Sequence, residues 1–594
     1  MPFSGFLHGI EIIETTIGPI PVVVVRSGVV GLVGTAPTFA GSTRPPWYTP
    51  PVNGVVPSWC DGDGKLASFP LWNQGAVYVK NECVVDANGN VQQVTVAGTS
   101  GASQPTWDTD VGDTTTDNTV TWKLVQTAAQ FGRLNQLQLV SGSSGAAGFG
   151  PRVRGYTIPY ALRAIQLQGA AQVIVVNVFD WNAHVTAHSA SYTFATIGGR
   201  QQVKLGHMGV SDVVISGSVL KTDFTVDQVN GVVYLPVPVG NIAENATKTI
   251  AFNFADPAGG ACVVNDDVIG DAGPPATGLE LLPFSIAKFG FNPKILIAPG
   301  FSYVKAVADE MLSIAGKVKG VACIDSPGGL SPESGGSSAP PVSTTVLVQT
   351  PNVTDTIANR SDLAAAFSLS DERAILVYPN QMFSDAGKDP ASLEVFQPVD
   401  GPYSAFYAGA MAANDIKFGY WFSPSNIQVI GLLGPDVQFI MSATDPFSDS
   451  NSLNAAGIVA VFSAFGTGLR AWGNRSSAFP AASDPKTFIA VRRTLDVVEE
   501  SLDAFSLQYL DKPISNALIQ TVLQSANGFV RLLIQRGALV PGSHVTFNPD
   551  SNPAVELAAG HITFDVDLIP PPPAERITYN FFVDTNLLGN ITGK

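Results

Sequence analysis

The residues best equipped for chemistry in this chain are arginines. Arg470, Arg475, Arg492 and Arg493 gather in one stretch of a protein with 32 basic against 48 acidic residues, a net charge of −16. A guanidinium is a planar fork of donors that matches a carboxylate or a phosphate, so such a cluster is suited to holding acids. The overall negative charge disfavours nucleic acid or anionic lipid as their source. Asp484-Pro485 reads as an N-cap followed by proline at the first helical position, opening a helix that runs to about Leu510. On it, Lys486, Arg492 and Arg493 lie toward the N-terminus and Glu499, Glu500 and Asp503 toward the C-terminus. Each charge opposes the helix dipole, at about 0.3–1 kcal/mol apiece. Local stability does not explain that order. It predicts that the four arginines, with Glu499 and Glu500, pair with opposite charges elsewhere in the subunit or across subunits. Local pairing of Arg493 with Asp496 on a wet face is the alternative.

Other chemistry is sparse. The chain has no HExxH, GxxxxGK[ST], GxSxG or paired CxxC, so metalloprotease, P-loop and serine-hydrolase readings lack a motif. Gly466-Thr-Gly-Leu-Arg-Ala471 fits GxGxx[GA], but it follows a helix-like run and precedes Trp472-Gly-Asn-Arg475, not a helix that could aim amides at a pyrophosphate. His184 and His188 have i,i+4 spacing in a Thr/Ser-rich segment without a clear helix, which favours satisfied or exposed imidazoles over a metal pair. Asp108, Asp110 and Asp113 lack the glycine and glutamate of a calcium loop and read as turn residues. Cys60, Cys83, Cys262 and Cys323 are widely spaced, so a reduced chain is expected, with a Cys60–Cys83 bridge as the alternative. No catalytic residue, cofactor or metal is expected. A glycan hydrolase would need two carboxylates about 5–9.5 Å apart across a cleft, and no distinctive pair stands out.

The elements that must position these residues are numerous. A length of 594 residues corresponds to three or four packed units at roughly 100–200 residues each. Charged residues are only 13% of the chain and apolar ones 45%, with a mean hydropathy of +0.21. So little solvating surface implies that other copies or partners cover much of the molecule. Apolar runs stop at Arg26 and Arg470, short of the roughly 18 residues that span a bilayer. The N-terminus lacks the cationic start and apolar core of a signal peptide, so folding in a cytoplasm without membrane insertion is expected.

The pattern along the chain predicts an α/β core domain with a mixed sheet, two inserted β-rich domains, and extended N- and C-terminal β-arms. Residues 1–40 form an arm and the first core strands, with Val29–Val33 a buried strand. Residues 41–133 are an inserted β module, 134–183 a core segment with a helix from Tyr160 and a strand Gln172–Phe179, and 184–275 a second β insertion with an Asn230-Gly231 hairpin signal. From 276 to 576 strands at Lys294–Pro299, Gly320–Asp325 and Ala374–Tyr378 alternate with helices, implying a mainly parallel sheet. Ser326–Ser343 reads as a mobile loop, and Lys512-Pro513 opens a helix ending near Gly537. Ile562, Phe564, Val566 and Leu568 alternate with polar residues ahead of Pro570–Pro573. A last strand, Ile577–Asp584, leads into the end of the 577–594 arm.

Both ends are β-like and tethered through proline. A strand that cannot easily fold back seeks an edge elsewhere. Ile10, Ile12, Ile13 and Ile17 at one end, and Ile577, Tyr579, Phe581 and Val583 at the other, are the candidate residues of arms donated to neighbouring subunits; the alternative is that both strands complete their own sheet. Trp72, Tyr78, Trp107 and Trp122 can be read two ways, as a patch stacking on sugar faces or as the only large core residues of a small β domain, and the second is favoured. Their surroundings, Trp72-Asn-Gln-Gly, Gly98–Trp107 and Asn118-Thr-Val-Thr-Trp-Lys-Leu124, resemble the carbohydrate-binding-like modules appended to many phage tail proteins.

A longer resemblance covers the N-terminal segment and nearly everything after about 278. Gly9-Ile-Glu-Ile-Ile-Glu14, Val30-Gly-Leu-Val-Gly-Thr-Ala-Pro37, Pro402–Asp415, Gly419–Asn426, Leu453–Ile458, Gly468–Arg475 and Phe488–Thr494, in that order, are similar to the contractile tail sheath proteins of bacteriophages and related injection machines. The resemblance implies hexameric rings stacked helically around a tail tube, with insertions facing outward. It implies arms, about Ile10–Ile17 and Ile577–Asp584 here, that augment sheets of neighbouring subunits. It also implies baseplate and tail terminator proteins as partners, a place in the virion tail after assembly in the host cytoplasm, and contraction from a metastable extended state. The large first insertion departs from the family pattern. A glycan-binding adhesin or hydrolase built on that insertion is the alternative.

Overall fold

The structure is a computed structural model. It describes residues 25–36, 72, 74–80, 82–86, 91–103, 105–108, 112–126, 134–141, 149, 156–169, 171–180, 184–197, 200–207, 210–218, 223–227, 231–235, 242–243, 245–255, 263–326, 369–383, 399–435, 440–463, 466 and 468–592. The predicted N-terminal arm, Cys60, Cys262, Asp110 and the Ser326–Ser343 loop beyond Ser326 fall outside these residues. The chain divides into two compact units: Arg26–Arg493 with Pro572–Lys594, and Thr494–Pro571 with the segment ending at Val25.

The larger unit is built on a nine-stranded mixed sheet. Its strands in chain order are β1 (Val29–Gly34), β2 (Gln138–Val140), β3 (Gln172–Asn177), β4 (Ile295–Ile297), β5 (Val321–Asp325), β6 (Ala374–Val377), β7 (Ile427–Gln428), β8 (Ile458–Phe462) and β9 (Arg470–Trp472). They lie in the order β7-β9-β8-β6-β5-β4-β1-β3-β2. Neighbours from β8 through β3 run parallel, while β9, β7 and β2 join antiparallel at the margins. Parallel strands are covered on both faces and so carry apolar residues at every position. Val29, Val33, Ile174, Leu296, Ile324, Leu376 and Ile458 face one core, and the alternate residues Val30, Leu32, Val175, Ile297, Cys323, Ile375 and Val459 face the other.

Helices α1 (Thr157–Gln168), α2 (Lys305–Val318) and α3 (Ser404–Lys417) supply the covering layers. The first core holds Val307, Met311 and Ile314 of α2. The second holds Ile158, Leu162 and Ile165 of α1 with Phe406, Tyr407 and Met411 of α3. Helices α1 and α3 meet at Gly409, where a Cβ would lie 2.7 Å from the Ile165 Cα. The glycine weakens α3 locally and permits a backbone approach that no other residue allows.

The sequence places β1, β3, β4, β5, β6, α1 and α2 to within a few residues. It misreads the apolar run before Gly466, which is strand β8 rather than helix-like, because a short continuous apolar run carries no distinguishing period. Gly466 and Gly468 of the GxGxx[GA] match therefore lie between the antiparallel strands β8 and β9, and its Arg470 and Ala471 belong to β9 itself.

The described strands of the first insertion run from Val77 to Gln126 and include a four-stranded antiparallel sheet. Those of the second run from Val185 to Ala255 in two antiparallel sheets closing on Phe194, Phe224, Val233 and Phe252. The predicted hairpin joins Thr225–Asp227 to Val232–Tyr234, and Gly231 sits at φ +62° with the His207 carbonyl oxygen 1.7 Å from where a Cβ would fall.

In the smaller unit, α4 (Ile489–Ser506) begins in the larger unit and ends here, and α5 (Asn516–Gln535) follows with Ser515 as N-cap. Helix α5 is apolar and long enough to cross a bilayer by composition alone. Its Asn527 instead bonds both ways to the Val545 backbone, at 2.8 and 2.9 Å, tying it to a ribbon of two antiparallel strands, His544–Thr546 and Asp565–Asp567. The Ile562–Leu568 alternation thus yields a strand of three residues. Ile577–Asp584 forms no strand in the single chain; it is followed by a 3-10 turn at Thr585–Thr592.

Replacing Gly409 with alanine is expected to destabilise the chain by about 1–3 kcal/mol, the overpacking cost exceeding the gain in helix propensity. Denaturant unfolding measures it; a variant as stable as wild type would contradict the close α1–α3 approach.

Candidate functional site

The arginines reach carboxylates far away in sequence. Arg493, on the first turns of α4, directs Nη1 to Asp415 Oδ1 at 2.8 Å and Nη2 to Oδ2, with both side chains nearly sealed from solvent. Its Nη2 also donates to the Ser27 carbonyl at 3.3 Å. Burial alone would pull the guanidinium down, but the charge and hydrogen bonds of Asp415 outweigh it and hold Arg493 above its ordinary value. Arg492 Nη1 lies 2.9 Å from Glu372 Oε1. Arg475 donates from Nε and Nη2 to both oxygens of Glu575, at 3.1 and 2.7 Å. Arg470 Nη1 donates to the Asn426 carbonyl at 2.9 Å. Arg492 and Arg493, which oppose the α4 dipole, are therefore paired within the same chain, and Arg493 takes Asp415 as its partner. Glu499 and Glu500 lie farther along α4, exposed and half-buried. Sequence reading could not name Asp415, Glu372 or Glu575, which stand 78, 120 and 100 positions from their arginines.

At the carboxyl end of the parallel strands, where α/β sheets often bind ligands, Asp325 closes β5. It accepts hydrogen bonds from the Ser404 amide at 2.9 Å, the Ser404 hydroxyl at 2.6 Å and the Ser302 hydroxyl at 3.0 Å. Burial raises its carboxyl above the usual range, against the lowering effect of these donors. Both serines donate to the carboxylate, which thereby anchors the first residue of α3. Cys323 beside it is wholly buried and pushed up by desolvation, the opposite of a reactive thiol.

The aromatics of the first insertion form its core. Trp72 and Trp107 are 9% and 7% exposed, and Tyr78 and Trp122 are fully buried. Tyr78 and Trp107 pack edge-on against Trp122 at 4.7 and 5.8 Å. Asp117 Oδ2 accepts from the indole N–H groups of Trp72 and Trp122 at 2.7 and 3.1 Å, and Oδ1 from the Gly101 amide at 2.7 Å. Sugar stacking needs an open ring face, so the glycan-stacking alternative for Trp72, Tyr78, Trp107 and Trp122 is corrected to a packing role. His184 accepts from the Asp180 amide at 2.9 Å and faces Asp267 at 3.5 Å, while His188 packs on Phe252. Cys83 is buried, and Cys60, its alternative partner, lies outside the described residues.

The surface feature that stands out is the C-terminal segment. Tyr579, Phe581, Phe582 and Val583 are 76%, 91%, 89% and 93% exposed, and Ile577, Leu587, Leu588 and Ile591 are also exposed. Burying each such side chain is worth about 1.5–3 kcal/mol. A row of them in water marks a surface that completes itself elsewhere.

Residues 275–477 match the phage tail sheath protein central domain. The chain is 32% identical to the tail sheath protein of Burkholderia phage BcepMu over 99% of both chains. It is 29% identical to the tail sheath protein of Escherichia phage P2 over 31% of this chain and 45% of that one. Among solved structures, the contracted helical sheath of the anti-feeding prophage aligns with a TM-score of 0.45 and 17% identity, over 76% of this chain and 89% of that one.

Two outcomes test the buried charges. Asp415→Ala strands the Arg493 guanidinium and is expected to cost about 3–5 kcal/mol in denaturant unfolding. For Asp325 the native carboxyl has the higher pKa, so the native state holds this proton more tightly and ionisation costs stability. The stability of wild type relative to Asp325→Asn should therefore fall as pH rises from about 4 through the raised native pKa, then level off. A difference that rises over that window would contradict the assignment.

Proposed function

The chain belongs to the phage tail sheath family, a structural subunit of a contractile tail, and from that premise we propose that its copies stack as hexameric rings around a tail tube and contract from a metastable extended lattice to drive the tube through the host envelope for genome delivery. Baseplate and tail terminator proteins bound the stack at its ends. Copies assemble in the host cytoplasm and remain in the virion tail.

The observation that carries this reading is the exposed apolar row from Ile577 to Val583. Its alternation, Ile577, Tyr579, Phe581 and Val583, suits a strand added to another copy's sheet, where backbone groups supply affinity and alternate side chains fill pockets. The ribbon His544–Thr546/Asp565–Asp567 is a fitting acceptor. Two strands alone are marginal in water, and among the described residues no further strand pairs with it. Ile10, Ile12, Ile13 and Ile17 supply the second arm, and one arm on each edge makes a four-stranded sheet shared among copies. Such links hold while the rigid bodies rotate and slide. Work comes from the difference between two sets of interfaces, so no nucleotide is consumed, and relatives that are structural proteins agree with a role outside catalysis.

Deleting Ile577–Lys594, or Met1–Ile17, should leave a folded chain with near-native circular dichroism that fails to form tubes by electron microscopy. Normal striated tubes from either truncation would defeat the arm reading.

A further inference from the structure

The C-terminal segment is held at its root far more closely than along its length. Arg475 engages both oxygens of Glu575, and its remaining Nη1 donates to Thr487 Oγ1 at 2.7 Å. The guanidinium carbon lies 3.5 Å from the Phe488 ring centroid and 4.8 Å from that of Phe479. Thr487 and two aromatic rings therefore fix the fork independently of Glu575, so the carboxylate meets a pre-ordered partner. Pro573, Ala574 and Glu575 help to line a cleft of about 310 Å³ with Ser423, Trp472 and Asn474. Two residues beyond Glu575, Ile577 is already 69% exposed.

We propose that the Arg475–Glu575 pair is a clamp that sets the point and direction from which the C-terminal segment leaves the body, and so positions it for a second copy. The inference rests on the arm reading above. Its physical basis is effective concentration: a segment free from its root explores a larger volume and finds its acceptor less often than one launched from a fixed point. The proline run Pro570–Pro573 stiffens the approach to the clamp.

Trypsin cleavage after Arg576, in the full-length chain held below its assembly concentration, reports the clamp directly. Glu575→Ala leaves Arg475 packed on both rings. It is expected to raise the cleavage rate and the critical concentration for tube formation about fivefold each, the scale of a partly exposed pair. Glu575→Asp should recover much of both. Unchanged cleavage in Glu575→Ala would overturn the clamp; faster cleavage with unchanged assembly would overturn its positioning role. If the chain lacking Ile577–Lys594 still polymerised, the arm reading and the positioning role would fall together, while the cleavage rate would still decide whether the clamp exists.

Discussion

The constraint on which the rest depends is that apolar surface in water must find a cover, and this chain does not supply one for its own C-terminal segment. Phe581, Phe582 and Val583 are nearly as exposed as in an extended peptide. Across the central sheet the same requirement is met, since both faces are roofed and alternate residues of one strand enter different cores. A molecule with a saturated interior and an unsatisfied end is suited to joining other copies. The low fraction of charged residues has the same cause: surface destined for contact does not need to be solvated.

Charge pairing inside the body serves rigidity. Burying Arg493 with Asp415 gains little over a well-packed apolar pair, because desolvation consumes most of the attraction. Its value lies in geometry, since a bidentate fork fixes how the Arg493 side chain sits on α3. The same arginine holds the Ser27 carbonyl just ahead of β1, and Arg475 holds Glu575 just ahead of the exposed segment. On the proposed reading, Ser27 and Glu575 stand at the roots of the two arms, each held by an arginine whose other partners are set.

Patterns local in sequence were legible. Strands β1, β3, β4, β5 and β6 announced themselves as β-branched runs and the Gly231 turn by its dipeptide, whereas the cap at Asp484 opens only a 3-10 turn, Pro485–Thr487, ahead of α4. The misplaced β8 shows the limit, because a short, wholly apolar run fits helix and strand equally. Nothing local marked Gly409 as a crossing point, since the Ile165 backbone it must admit lies on another helix. The arginines were visible as a cluster with the wrong sign for its helix, but their carboxylates lie 78 to 120 positions away. The insertion's aromatics stayed ambiguous until Asp117 appeared between two indoles, a buried acceptor that fixes the rings inward.

On the proposed reading a subunit remains one body while its neighbours change, and that would separate two kinds of interaction. Contacts meant to persist are multiple and pre-ordered: the Asp325 carboxylate with its three donors, the Arg493 fork, the Arg475 side chain stacked on Phe488. Losing one partner of the buried Asp325 or Arg493 set leaves a polar group without compensation, so those contacts are costly to break singly. Contacts meant to be exchanged need the opposite character, with apolar area that pays similar returns on more than one partner surface. The exposed faces of Ile416, Phe418, Phe422 and Phe447 on the body have that character, because dispersion and hydrophobic burial are non-directional and carry no penalty for a new register. On the proposed reading, stored work resides in the difference between two packings of such apolar surfaces, while the directional hydrogen bonds hold each body.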